Sequence, residues 1–308
     1  MADFRPSYLG LYESGELRRR AATARETLTE CSFCPRECGV NRLEEHTCYC
    51  GGGEDALVCS ASPHFGEERP LVGSGGSGTI FFAGCNLGCV FCQNYEISHL
   101  RQGRQVNADE LANMMVGLQR QGSHNINFVS PSHYVPQILA ALAPAIEAGL
   151  ELPLVYNTGG YDSADTLRLL DGVIDIYMPD AKYADPEVAG RLSGAPDYPQ
   201  VMRSALAEMH RQVGDLVIDA DGVARRGLLV RHLVLPEGLA GTAEVMQFIA
   251  SLSTDTYVNV MAQYRPCHEA LDHREISRRI SREEYRDAVQ ATLDAGLHRL
   301  DERPLAML

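Results

Sequence analysis

One pattern, repeated six times, constrains the fold of this 308-residue chain more than any other feature. A short, nearly continuous apolar run ends in polar or glycine residues, and a longer stretch with helical spacing follows. The runs read TIFFAGC, INFVSPS, LPLVYNTGGY, VIDIYMPDAKY, LLVRHLVLP and TYVNVMAQY. A strand that is apolar on both faces must be covered on both faces, and intervening helices do this when the strands run parallel. Helices are expected over residues 108–121, 135–148, 164–170, 199–213, 242–252 and 282–295. Six such units predict an α/β fold, a partial (β/α)6 TIM-like barrel, with a doubly wound open sheet as the alternative. Barrels carry their chemistry at the carboxyl ends of the strands. The polar clusters at 85–94, 130–133, 157–161, 180–182, 231–236 and 263–268 are therefore expected to converge on one mouth.

The ten cysteines are placed unevenly: six between Cys31 and Cys59, three at Cys85, Cys89 and Cys92, and one at Cys267. This divides the chain into an N-terminal helical and cysteine-rich extension, residues 1–72, and a barrel body, residues 73–308. GSGGSG at 73–78 satisfies a dinucleotide fingerprint, but it leads into a strand instead of opening a helix. A flexible linker between extension and body is the simpler reading. The chain shows no charged-then-apolar leader and no apolar run able to span a bilayer, so a cytoplasmic protein with no membrane partner is expected. In a reducing compartment, clustered cysteines point to metal or cluster ligands, or to catalysis, before disulfides.

A formal net charge of -14 repels phosphate backbones and argues against a nucleic-acid partner. The arginines at 276–286 alternate with acids, as on a solvated helix face. LVIDADGVARRGLLV predicts a hairpin turning at Asp221 and Gly222. Its DADG resembles the start of a calcium loop, but Arg231 stands where the closing acid belongs, which excludes calcium.

Cys85, Cys89 and Cys92 have CxxxCxxC spacing, with Phe91 before the last cysteine. A structural zinc site takes four protein ligands, whereas three thiolates from one loop leave one iron of a cubane open. With this spacing the chain resembles the radical S-adenosylmethionine (SAM) superfamily. GCNLGCVFCQN, YNTGGY, MPDAKY and VRHLVLPEG are similar to the cluster loop and later strands of pyruvate formate-lyase activating enzymes. CPRECGVNR, HFGEERP, VSPSHYVPQIL and QVGDL resemble that family's PflX-like branch.

The resemblance implies a [4Fe-4S] cluster on Cys85, Cys89 and Cys92, whose free iron takes SAM. It also implies reductive cleavage to a 5'-deoxyadenosyl radical, which abstracts hydrogen from a backbone glycine and so activates a glycyl radical enzyme. Radical modification of a small molecule or peptide is the alternative, as is a non-catalytic iron-sulfur or zinc module. A flavodoxin or ferredoxin is the implied reductant. Lys182 and Arg231 suit the SAM carboxylate, while Asn94, Asn157 and Asp180 suit its amino group, ribose or sulfonium side, with Phe91 beside the cluster. Asp180 and Lys182 form a structural ion pair in the competing reading. Ser130, Pro131, Ser132 and His133 replace the family's GGEP-like turn, leaving the Ser130 hydroxyl or nearby carbonyls for the amino group. Phe81 and Phe82 suit either a dry wall for the loop or the ordinary core.

In the extension, Cys31, Cys34, Cys38 and a fourth thiolate, Cys50 before Cys48, are expected to hold a second metal site, zinc or iron-sulfur. Cys59 and Cys267 read as small buried residues, although Cys267 follows strand six closely enough to serve as a hydrogen donor. His64, Glu67 and Glu68 are candidates for the mouth, or turn residues.

Overall fold

The computed structural model describes residues 4–44 and 48–301. Nine strands form one sheet system: β1 (Ala56–His64), β2 (Ser77–Phe82), β3 (Arg104–Val106), β4 (Ile126–Val129), β5 (Leu154–Thr158), β6 (Ile176–Pro179), β7 (Val217–Ile218), β8 (Ala224–Leu233) and β9 (Tyr257–Met261). The six apolar runs supply β2, β4, β5, β6, β8 and β9, and these pair parallel in chain order. β1 adds antiparallel to the free edge of β2, and β3 to β1. The predicted hairpin is present: β7 pairs antiparallel with β8 across the turn at Asp219, whose Oδ1 accepts from the Asp221 and Val223 amides at 2.9 Å.

The parallel strands bury both faces, as their composition requires: Ile80, Phe82, Phe128 and Leu154 on one face and Val155, Ile176, Met178 and Leu229 on the other are all nearly inaccessible. Each such side chain contributes roughly 1.5–3 kcal/mol of burial. The helix Ala108–Arg120 starts where Asn107 and Glu110 form a capping box, and it lays Leu111, Met115 and Leu118 on the sheet. The helix Val135–Glu147 begins with Pro136, where a missing N–H costs nothing, and buries Ile138, Leu142 and Ala145. Helices not anticipated in the body include Pro186–Ser193, capped by Asp185. No helix among the described residues is long and apolar enough to cross a membrane.

In a flat sheet β2 and β9 would stand about 24 Å apart, at about 4.8 Å per strand. Residues following both strands nevertheless line one cavity, so the sheet is strongly curved. The described strand pairings do not close it.

The glycine-rich stretch before β2 is not a flexible linker. Gly76 is buried, and a Cβ on Gly75 would stand 1.9 Å from the Gly122 carbonyl oxygen. Contact this close with a neighbouring backbone admits only glycine.

Candidate active site

A cavity of about 470 Å³ opens at the carboxyl ends of the parallel strands. Cys85, Cys89 and Cys92 line it, together with Phe81, Ser130, Asn157, Asp180, Lys182, Arg231 and Gln263 from successive strand ends. The convergence expected from the repeat is therefore observed.

The cysteine loop leaves β2 through Gly84, at φ 84°, and turns again at Gly88, at φ 71°. It is bonded at each sulfur. The Leu87 amide donates to Cys85 Sγ at 3.3 Å, the Ser193 hydroxyl donates to Cys89 Sγ at 3.0 Å, and Ser98 Oγ lies 3.1 Å from Cys92 Sγ. Phe91 is buried edge-on against Tyr183 and Tyr264, with ring centroids 6.4 and 5.8 Å away. Burial pushes the Cys89 thiol up to about 12 and also raises Cys92, with Lys182 the nearby cation opposing both shifts. Thiolates here therefore need a positive centre to hold them, which a metal cluster supplies.

On the opposite wall, Asp180 holds both cations. Lys182 Nζ lies 2.5 Å from Asp180 Oδ2, and Arg231 Nε donates to Asp180 Oδ1 at 2.8 Å. Arg231 also donates to Asn157 Oδ1 at 2.7 Å and approaches Glu67 and Glu68 at 3.8 and 4.0 Å. Burial alone would raise the Asp180 carboxyl, but Arg231 and Lys182 override it and hold the group below its ordinary value. Arg231 and Lys182 are raised despite burial, by Asp180 above all. The structural ion pair is thus present, and neither cation points free into the cavity. Tyr198 fixes the loop beneath: its hydroxyl accepts from the Lys182 amide at 3.0 Å and stands 2.8 Å from the carbonyls of Gly159 and Asp180.

The segment replacing the GGEP-like turn divides. Ser130 lines the cavity, whereas Ser132 is buried against Thr158 Oγ1 at 3.0 Å, and His133 faces the Ala83 carbonyl with its ring while its own carbonyl accepts from Arg42 of the cysteine-rich extension. Phe82 belongs to the core, stacked on Phe128, while both Phe81 and Phe82 reach the cavity wall. His64 and Glu67 line the mouth; Glu68 is buried behind it, accepting from Asn259 at 2.8 Å. Cys267 is not among the lining residues, and Cys59 is exposed. Ser98 and Ser193 carried no sequence signal, because each acts only through a contact made by the fold. A serine at the end of an unassigned helix looks like any C-terminal turn.

These features define an α/β protein with a mostly parallel sheet and three loop thiols at its strand ends, and among the described residues no three His, Cys, Asp or Glu side chains are already drawn together as a metal site. Residues 79–215 match the model of the radical SAM superfamily. An uncharacterized protein of Methanocaldococcus jannaschii is 33% identical over 275 residues, covering 87% of this chain and 75% of that protein. The chain therefore carries a radical SAM domain. Its fold is similar to that of a radical SAM methyltransferase from Sphaerobacter thermophilus, with a TM-score of 0.50 at 16% identity, covering 72% of this chain and 64% of that one. The radical SAM methyltransferase TsrM from Kitasatospora setae aligns at a TM-score of 0.49 and 14% identity, covering 73% and 54%. The chain thus spans less than two thirds of either solved structure. The domain implies a [4Fe-4S] cluster and SAM. It does not single out the PflX-like branch or glycyl radical activation.

Proposed function

We propose that this protein cleaves SAM reductively and uses the resulting 5'-deoxyadenosyl radical to abstract hydrogen from a small molecule or peptide segment. The observation that carries this reading is the placement of Cys85, Cys89 and Cys92 in the one cavity onto which all six parallel strands open. When bound, the cluster and SAM supply one-electron cleavage of a carbon-sulfur bond.

The chain's own residues do the rest. Cys85, Cys89 and Cys92 would hold the cluster, their sulfurs steadied by the Leu87 amide and by Ser98 and Ser193. Leu87, Phe91, Phe81, Val129, Leu233 and Met261 make the wall apolar and exclude water from a reactive radical. Asn94, Ser130, Asn157, Asp180, Lys182 and Arg231 form the SAM side. There, three formal carboxylates, Asp180, Glu67 and Glu68, face two cations. An excess of negative charge complements SAM, whose ammonium and sulfonium outnumber its carboxylate. The remaining N–H donors of Lys182 and Arg231 then serve the carboxylate from within the Asp180 network.

Activation of a glycyl radical enzyme is the narrower form of this reading and rests on the sequence resemblance. A flavodoxin or ferredoxin suits the reducing step, and the charge of -14 disfavours a nucleic acid as the hydrogen donor. The extension's cysteines add a second metal site, zinc or iron-sulfur.

The test is formation of 5'-deoxyadenosine from SAM by anaerobically reconstituted, reduced protein. Triple alanine replacement at Cys85, Cys89 and Cys92 is expected to abolish it. Retained cleavage in that variant refutes the site, and no cleavage by wild-type protein with a full cluster refutes the function. Lys182→Met and Arg231→Met are each expected to weaken SAM binding by roughly ten- to a hundredfold, the worth of one charge-assisted hydrogen bond.

A further inference from the structure

The extension contains a buried cation that no carboxylate among the described residues matches. Arg42 is 1% exposed. Its Nη1 donates to the His133 carbonyl at 2.7 Å and its Nη2 to the Gly53 carbonyl at 2.9 Å. Its Nε has no hydrogen-bond partner, and no carboxylate among the described residues pairs with it. An isolated buried charge costs several kcal/mol, so a chain that buries one supplies a counter-charge. The group beside it is Cys31 Sγ, 3.8 Å from Nη1. Cys50 also lies within its field.

The sulfurs around Arg42 are neighbours, although among the described residues no three of them are already drawn together around one metal position. Two main-chain bonds, Cys31 N to Val40 O at 3.1 Å and Gly39 N to Cys31 O at 3.0 Å, fold residues 31–40 back on themselves. Left-handed residues at Glu37, φ 38°, and Gly39, φ 63°, tighten the turn around Cys38. Backbone amides then point at sulfur two residues upstream: Arg36 at Cys34, Val40 at Cys38, and Gly52 at Cys50, the last at 3.4 Å. The cluster loop has the same arrangement, with Leu87 on Cys85 and Asn94 on Cys92. An N–H donor aimed at sulfur favours the anionic, metal-bound form over a neutral thiol. Cys34 is a neighbour of Cys50, Cys31 and Cys38, whereas Cys48 meets only the Cys38 side of the group, hydrogen-bonding that thiol.

Both turns also grip the cluster loop. Arg36, between Cys34 and Cys38, donates to the carbonyls of Asn86 at 3.0 Å and Leu87 at 3.3 Å. Tyr49, beside Cys50, donates to the Leu87 carbonyl at 3.1 Å and lies 3.9 Å beneath the Arg36 guanidinium. A Cβ on Gly84 would stand 2.1 Å from the Cys50 carbonyl oxygen, so the turn at Cys50 abuts the residue preceding Cys85.

We propose that Cys31, Cys34, Cys38 and Cys50 form a closed tetrathiolate metal centre, with Arg42 as its buried counter-cation, and that this centre braces the loop carrying Cys85, Cys89 and Cys92. Four thiolates around a divalent ion or a doubly positive cubane leave two negative charges, which meet the guanidinium. The centre itself stands independently of the radical reading; the bracing rests on it.

The experiment measures zinc, iron and acid-labile sulfide per chain in anaerobically purified protein in which Cys85, Cys89 and Cys92 are replaced by alanine. One full equivalent of either zinc or a cluster is expected to remain, and the metal found identifies the centre. Cys34→Ala or Cys50→Ala in that background removes it, while Cys48→Ala leaves it. Circular dichroism and gel filtration check that the proteins are folded. A folded triple variant with neither metal overturns the proposal, and loss through Cys48 instead of Cys50 overturns the ligand set. Arg42→Met is expected to release metal to a chelator at least tenfold faster, with Arg42→Lys close to wild type. Equal release from both refutes the counter-cation. Arg36→Met is expected to keep the extension's metal yet lower loop iron in the otherwise wild-type protein; unchanged loop iron refutes the bracing. Formation of 5'-deoxyadenosine is scored separately, so failure of the radical reading does not mimic failure here.

Discussion

Replacing Asp180 with asparagine keeps the shape of the side chain and removes the one charge that both Lys182 and Arg231 contact directly. The three side chains are 14%, 15% and 17% exposed, so water screens them little. Breaking a buried ion pair by removing one partner costs about 3–5 kcal/mol, because the orphaned charge stays desolvated. For a chain this long, about 2 °C of Tm per kcal/mol gives a fall of roughly 6–10 °C. Glu147→Gln is the control, since Arg18 and Glu147 are 57% and 53% exposed and such pairs contribute under about 1 kcal/mol. The assay is denaturant and thermal unfolding of both variants, repeated across acid pH.

The folded-state pKa of Asp180 lies below its ordinary value of 3.8. Its stabilisation is therefore present above that value and lost as pH falls through the depressed one. Asp180→Asn is expected to flatten that part of the acid limb. A stability change no larger than that of Glu147→Gln would mean that the pair is solvated and that the network does not shape the cavity.

One titration and three substitutions probe separate links. His232 is inaccessible, donating from Nδ1 to the Ala181 carbonyl at 2.7 Å and facing Thr242 Oγ1 at 2.9 Å, and burial lowers its pKa to about 4. Because the unfolded chain takes up this proton near pH 6.5, stability is lost as pH falls from there toward 4; proton NMR showing ordinary titration of His232 would refute its burial as neutral imidazole. Gly84→Ala, at φ 84° and 2.1 Å from the Cys50 carbonyl, is expected to lower iron content and Tm together, whereas Gly117→Ala, in mid-helix with nothing within 4 Å, should raise stability by roughly 0.5–1 kcal/mol. Ser281→Ala removes the capping box with Glu284 and should cost about 1 kcal/mol in chemical denaturation, with SAM cleavage unaffected.

Much of the fold is written locally. An apolar run such as VIDIYMP is committed to a two-faced strand wherever it lies, and the parallel order of the six runs follows from the helices between them. The CxxxCxxC loop is equally local, since Gly84 and Gly88 supply its turns and its register to β2 is fixed by the run before it. β1 was not legible. Its sequence, ALVCSASPH, has weak alternation and a proline, and it becomes a strand because β2 and β3 pair with it on either side. The glycines at 73–78 look like a linker in sequence, and only the fold brings the Gly122 carbonyl onto Gly75 and the Asn125 carbonyl onto Gly78. The sequence alone placed Asp180, Lys182 and Arg231 at strand ends; tertiary structure decided that one carboxylate binds both cations. The roles of Arg36 and Arg42 belong wholly to the tertiary structure, because a charge acquires its meaning from its burial and its partners, and neither is encoded within a few residues of it.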